Sequence, residues 1–213
     1  MLDLGAGPGG VASELARKGC QVTVVEAHEH AEAADVTSVV QDLNEPLRVD
    51  VAGFDHILLL DVIEHLRDPE RFIEDLRSHF DFRNRTLVLT TPNIAFVVQR
   101  LMLLMGQFNY GKAGILDRTH TRLFTFASLQ RLLRDAGFRN LRVEGVPAPF
   151  PKVLGDGWLG RSALAANLAL IKVLPSWFSY QIFVVTESTP DVDFVLDSAR
   201  RFHTLAPPAA PDE

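Results

Sequence analysis

Short runs dominated by valine, leucine and isoleucine recur along the chain, and most are followed by a longer stretch whose apolar residues return every three or four positions. The runs fall at residues 2–4, 22–25, 36–40, 56–60 and 86–90, and the amphipathic stretches at 11–18, 69–80 and 127–136. β-branched runs bounded by turn residues predict strands, and the longer period predicts helices. After the helix stop Gly137-Phe138, residues 139–146 predict another strand and 180–186 a last one. Strands alternating with helices predict an α/β fold, doubly wound, with a mostly parallel sheet covered on both faces.

Residues 147–175, rich in glycine, proline and apolar residues, are too long for a simple hairpin and are expected to form an insertion covering a pocket. Two apolar stretches, 96–105 and 163–174, fall short of the roughly 20 residues a spanning helix needs, so they predict core, pocket or interfacial helices. The stripe Val97, Val98, Leu101, Met102, Leu104 and Met105 is at helical spacing and is expected to pack in the core. One domain over 1–188 is therefore expected, with a disordered tail over 189–213, which turns polar and then rich in proline and alanine.

The chain has 213 residues, 47% of them hydrophobic and 23% charged, the balance of a globular protein. A net charge of −6 gives no general attraction to phosphate backbones, so no nucleic-acid partner is expected. The single cysteine, Cys20, leaves no intrachain disulfide framework and suits a reducing cytoplasm. It ends a helix before a strand and is expected to be a small buried residue. No signal peptide is expected ahead of Leu2.

Gly5-Ala6-Gly7-Pro8-Gly9-Gly10 stands between the first strand and the first helix. Such a turn lets the backbone approach a ligand and aims free helix N–H groups at it. Taken alone, Gly5-x-Gly7-x-x-Gly10 fits a dinucleotide as well as other nucleoside cofactors. Acids near the strand ends separate the candidates: Asp3, Glu26, Asp42 and Asp61 favour a ligand with hydroxyls, an amino group and an adenine amine. Asp3 in particular suits an ammonium better than a pyrophosphate, which it would repel.

In these residues the chain resembles the class I S-adenosylmethionine-dependent methyltransferases, whose first motif reads here Leu2-Asp3-Leu4-Gly5-Ala6-Gly7-Pro8-Gly9. The resemblance continues through Val24-Val25-Glu26, Gln41-Asp42-Leu43, Asp61-Val62-Ile63-Glu64-His65 and Thr90-Thr91-Pro92-Asn93, and extends to about Phe138. It implies a Rossmann-like seven-stranded sheet with an antiparallel last strand, and S-adenosylmethionine as cofactor. The implied cofactor residues are Asp3, Gly5, Ala6, Gly7, Gly9, Glu26, Ala27, Asp42, Leu43 and Asp61. Glu26 would take the ribose hydroxyls and Asp42 the adenine amine. The stretch from Arg100 to Thr125 resembles the methionine-biosynthesis-associated and ubiquinone-biosynthesis-like branch. Members usually carry one or two helices before the first strand. Here Met1 stands at a strand position, so either the true start lies upstream or the pocket is open on that side, and an isolated chain of marginal stability is expected.

The implied function is methyl transfer to a small, hydrophobic or ring-bearing acceptor. Two other readings stand beside it: a non-catalytic S-adenosylmethionine-binding protein acting through a partner, and an NAD-dependent oxidoreductase. Candidate catalytic residues are His120, His65 and Tyr110. His120 is either a general base or an anchor for its loop, and Tyr110 would orient the acceptor. Asp61-x-x-Glu64-His65 resembles a pattern linked to a divalent metal in ubiquinone-pathway enzymes. Magnesium prefers oxygen ligands and water, so no resident metal is expected.

Overall fold

The computed structural model describes residues 1–7, 10–28, 36–80 and 85–189. Gly9 and the tail beyond 189 lie outside the described residues. Seven strands form one sheet in the order β3-β2-β1-β4-β5-β7-β6: β1 (Leu2–Leu4), β2 (Val22–Glu26), β3 (Val36–Val40), β4 (His56–Leu60), β5 (Thr86–Pro92), β6 (Phe138–Val146) and β7 (Gln181–Ser188). The first five are parallel, and β7 runs antiparallel between β5 and β6. The expected fold class and all seven strands are present. The order reverses direction between β1 and β4, and in such sheets ligands bind at the carboxyl edge beside that reversal.

Burial explains the strand patterns. β1 is buried throughout, and β4 has three consecutive buried residues, as parallel strands covered on both faces require. β5 and β7 alternate buried and half-buried positions. One face packs Leu4, Ile57, Leu59, Leu87 and Leu89 against Ile73 and Leu76 of helix α2 (Pro69–Ser78), with Leu129 and Leu133 of α4 (Phe126–Asp135) in the same cluster. The opposite face packs Val22 and Val24 against Ala12 of α1 (Gly10–Arg17). Asp68 caps α2 by accepting from the Arg71 N–H at 3.0 Å, with Pro69 as its first residue. Thr125 and Ser128 form a reciprocal capping box on α4. Cys20 is half-buried against the α1 cluster rather than fully inside, because that cluster is small and lies near the edge of the sheet.

The insertion is helical: α5 (Phe150–Leu154), α6 (Trp158–Val173) and α7 (Pro175–Phe178) lie between β6 and β7. With α3 (Val97–Leu104), which follows β5, they make a lobe beside the carboxyl end of β5. The expectation that the stripe on α3 packs in the core is corrected. No α3 residue is buried, and Leu101, Leu104 and Met105 are exposed. The physical reason is position: α3 starts beyond the last ladder bonds of β5, where no sheet face remains to receive it. Only its first turn finds partners, in the small cluster of Phe96, Ile115 and Ala148.

Two buried asparagines tie the lobe down. The Asn93 amide donates to the carbonyls of Ser176 at 3.0 Å and Ser179 at 2.9 Å, and its oxygen accepts from the Ala95 N–H at 3.1 Å. Asn167 accepts from Ala148 N–H at 3.2 Å and donates to Phe178 O at 2.9 Å. Removing either leaves buried backbone groups unpaired, at a cost of roughly 1–3 kcal/mol per group. Asn93→Ala is therefore expected to lower stability by about 2–4 kcal/mol. Chemical denaturation checks the loss, and hydrogen exchange should locate its largest effect in α7 and the start of β7.

Candidate active site

β1, β2 and β4 end at one edge of the sheet, and the glycine loop turns there. The Gly5 N–H donates to Val25 O at 2.7 Å, so the loop leaves β1 still tied to β2. Gly5 has φ +80° and Gly7 +57°, and a Cβ on Gly5 would stand 2.5 Å from a Val62 methyl. Both the conformation and the close approach require glycine at position 5. The Glu26 carboxylate accepts the Gly7 N–H, which places the acid ending β2 directly against the loop. Ala6 is half-buried within the turn, and Ala27 is exposed just past Glu26.

Asp3 is 1% exposed, and neither carboxylate oxygen has a hydrogen-bond partner among the described residues. Burial, reinforced by the nearby Glu26 charge, pushes its carboxyl from 3.8 up to about 6. An orphaned carboxylate beside a glycine turn is a receptor for a cation with N–H donors. The amino-acid ammonium of S-adenosylmethionine answers that description, and a pyrophosphate does not. The residues present therefore fit the expected cofactor.

Asp42 follows β3, where the Gln41 N–H bonds to Glu26 O at 2.7 Å and sets the segment beside the end of β2. Its exposed carboxylate accepts from the Asn44 backbone at 2.9 Å and side chain at 2.8 Å, and these bonds hold its carboxyl below the usual range. Leu43 beside it is buried and belongs to the main core. Asp61, ending β4, has φ +54°, the one non-glycine residue in the left-handed region among those described. Aspartate tolerates this region better than most residues. Its carboxylate accepts from Thr90 Oγ1 at 2.9 Å and from Gln181 Nε2 at 2.7 Å.

The turn after Asp61 carries the second constellation. Glu64 is 1% exposed; its Oε2 accepts from Thr91 Oγ1 at 2.9 Å, while Oε1 has no partner among the described residues. Burial pushes its carboxyl from 4.5 up to about 7, against the pull of its own backbone N–H and of Thr91. The Glu64 carbonyl accepts from Thr121 N–H at 2.8 Å and Arg122 N–H at 3.1 Å, which draws the 117–122 loop across the turn. The His65 and His120 rings consequently meet edge to face, 4.8 Å between centroids.

Each ring places Nδ1 against a backbone carbonyl, His65 on Thr119 at 3.1 Å and His120 on Ile115 at 2.9 Å. A carbonyl only accepts, so each Nδ1 carries the proton and, in the neutral ring, Nε2 presents a lone pair. Among the described residues, Glu64, His65 and His120 form the group whose ligand atoms could close on a cation, all within 4.8 Å of one another. Asp61, the first residue of the metal-like pattern, stands outside this group, held by Thr90 and Gln181.

The structure thus brings Asp3, Glu26 and the glycines together, and His65 with His120. Tyr110 is exposed, with its ring 5.7 Å edge to face from Phe108. Two participants were not among the expected cofactor or catalytic residues. Glu64 stood in view only as part of the metal-like pattern, and the apolar residues surrounding it were the available signal of its burial. Gln181 reaches Asp61 from 120 positions away, with no local signal at all.

A family profile described as "Methyltransferase domain" matches residues 1–143. The mitochondrial ubiquinone biosynthesis O-methyltransferase of Arabidopsis thaliana is 36% identical over 103 residues, 43% of this chain and 32% of that protein. The chain thus spans about a third of the length of this curated relative. Among solved structures, a SAM-dependent methyltransferase from Thermotoga maritima superposes with a TM-score of 0.62 at 19% identity, over 88% of this chain and 81% of that one. One from Archaeoglobus fulgidus gives 0.60 at 16%, over 87% and 84%. The magnesium protoporphyrin IX methyltransferase of Synechocystis PCC 6803, solved with bound SAH, gives 0.53 at 19%, over 88% and 73%. These likenesses establish the fold. With the profile matching more than half of the chain, Asp3, Glu26, Asp42 and Asp61 included, this chain belongs to the methyltransferase domain family.

Proposed function

We propose that this chain transfers the methyl group of S-adenosylmethionine to an oxygen, nitrogen or carbon of a small hydrophobic or ring-bearing acceptor. The observation that carries the reading is the orphaned Asp3 carboxylate beside the Gly5 turn. When bound, the sulfonium supplies an activated methyl and a good leaving group. The chain's own residues bind, align and exclude water. Asp3 and the loop from Gly5 hold the amino-acid end, Glu26 the ribose and Asp42 the adenine. Ala27 and Leu43 flank the nucleoside, and Asp61 borders the reacting centre. His120, with Nδ1–H fixed on Ile115 O, takes the acceptor's proton at Nε2, and His65 supports it from the side. Tyr110 lies at the rim as an orienting group. A cytoplasmic setting belongs to the same reading, supported by the lone thiol of Cys20. No helix among the described residues is long and apolar enough to cross a membrane.

Calorimetric titration with S-adenosylhomocysteine and with NADH tests the reading: binding of the first and not the second is expected, and the reverse would overturn it. Glu26→Ala should weaken S-adenosylhomocysteine binding by about 2–4 kcal/mol, because two charge-assisted bonds of roughly 1.5–3 kcal/mol each are lost and water compensates in part. Unchanged affinity would remove Glu26 from the ribose site.

Asp3 and Glu64 also make the free protein sensitive to pH in a definite direction. Both carboxyls are raised, so the folded state holds more protons than the unfolded one between about 4 and 6 for Asp3 and between about 4.5 and 7 for Glu64. Stability is therefore lost as pH rises through those windows, by up to about 3 kcal/mol per group. In melting curves across this range, Asp3→Asn should flatten the dependence while weakening S-adenosylhomocysteine. In the wild type, affinity for that ligand should rise with pH up to about 6, because a bound ammonium favours the ionised carboxylate.

His120→Ala is expected to lower turnover by roughly 10²–10⁴ with cofactor affinity unchanged. A loop anchor would instead lose stability and recover in His120→Gln. Wild-type activity that survives a chelator keeps the two imidazoles as proton carriers; activity lost to a chelator and restored by a divalent ion would make them ligands.

A further inference from the structure

The lobe of α3, α5, α6 and α7 presents a large apolar surface that the other described residues leave uncovered. α6 is apolar nearly all round, yet only Gly160, Asn167 and Ile171 of its 16 residues are buried. Helices of that composition normally lie inside a protein or against lipid. At 100° per residue, its outward face carries Trp158, Ser162, Ala165, Ala169 and Val173, with Arg161 and Lys172 along one side. Leu104 of α3 is 83% exposed, Val153 of α5 79%, and Trp158 and Val173 74% each. The elements form one surface. Between α3, α5 and α6 runs an apolar cleft of about 540 Å³ that reaches Phe96 and Tyr180, and the Arg100 guanidinium of α3 lies 4.2 Å over the Trp177 ring of α7.

Charge tells what covers it. Segments 94–106 and 147–180 hold Arg100, Lys152, Arg161 and Lys172 against the single acid Asp156, in a chain whose net charge is −6. The chain's two tryptophans, Trp158 and Trp177, both stand here. Exposed aliphatic side chains, interfacial tryptophans and flanking cations are the combination that seats a surface helix at the headgroup level of an anionic bilayer. A second copy of the chain fits less well, since a two-fold contact would set this basic face against itself.

We infer that the α3/α5/α6/α7 lobe is a peripheral docking surface for anionic phospholipid membranes. The helices enter the headgroup region by their outer faces, and none crosses. The cleft ending at Tyr180 lies beside the strand edge that carries Asp61, because Gln181, the next residue, bonds the Asp61 carboxylate. A docked membrane therefore lies next to the site, and an apolar compound dissolved in lipid reaches it without crossing water. The docking itself does not depend on the catalytic reading.

The test uses the full chain, vesicles of phosphatidylcholine alone or mixed with phosphatidylglycerol, co-sedimentation, and tryptophan emission, which reports this face alone. Binding with a blue shift on the mixed vesicles is expected, lost in high salt and much weaker on phosphatidylcholine alone. Each basic residue near an anionic surface contributes roughly fivefold to partitioning, so K152E/K172E should bind at least about tenfold more weakly. V173D should also bind more weakly. All three positions are exposed, so melting temperatures should not move. No binding to either vesicle, or binding indifferent to charge reversal and to V173D, would overturn the proposal. A concentration-dependent dimer with blue-shifted emission and no vesicle binding would overturn it too, and would assign the face to a second copy.

Discussion

β1 and β4 are covered on both faces, so their side chains can be polar only at some energetic cost, and the chain places nearly all its polar chemistry where these strands end. Because the five parallel strands point the same way, their ends lie along one edge. Glu26, Asp42 and Asp61 come from segments far apart in sequence, yet the pairing register delivers them together. Asp3 is the exception that gives the site its character. It sits inside β1, paired with Val24 and Leu58 of the neighbouring strands, where desolvation cannot be relieved by water. A buried group without a partner costs the free protein stability, and a cation at the loop would restore that stability. Binding energy is in this sense stored in the fold before any ligand arrives.

The histidine pair depends on a different device. Three donors from two residues, the Thr121 and Arg122 N–H groups and Thr121 Oγ1 at 3.1 Å, converge on the Glu64 carbonyl, and Thr121 Oγ1 also reaches Leu66 O at 2.6 Å. These bonds make the short turn after β4 and a loop more than fifty residues later behave as one unit. Asp117 stiffens the same loop by accepting from Thr119 N–H at 2.8 Å and Thr119 Oγ1 at 2.7 Å. The imidazoles are thereby oriented by backbone alone, so their tautomers do not rely on any carboxylate nearby. Glu64, with one oxygen on Thr91 and the other open, is left to respond to whatever enters between the rings.

Much of this was legible in the residue pattern. Buried strands declare themselves as unbroken apolar runs, and the glycine turn with acids at successive strand ends is a local signal repeated in register, so the sheet and the gathering of those acids along its edge could be anticipated together. The apolar stripe of α3 misled because helical periodicity reports only that one face is apolar. Whether protein or something else meets that face depends on where the preceding strand stops. Glu64 and Gln181 were harder for a related reason. A glutamate beside a histidine just past a strand end looks like a solvated one unless the apolar Val62, Ile63 and Leu66 around it are weighed, and a glutamine opening a strand carries no mark of the carboxylate it will meet across the sheet.

The two halves of the molecule are held by unlike forces. The α2 and α4 layer rests on a large contiguous core, whereas the helical lobe buries few apolar side chains and hangs on Asn93, Asn167 and a small cluster around Phe96. Local stability follows buried contacts, so the lobe belongs to the low end of the range within this fold. It also flanks the edge where Asp61 and Gln181 meet. A floor built on a contiguous core thus stands beside a wall fastened by a few hydrogen bonds, and loosening the wall would leave untouched the register that holds Asp3 and Glu26 in place.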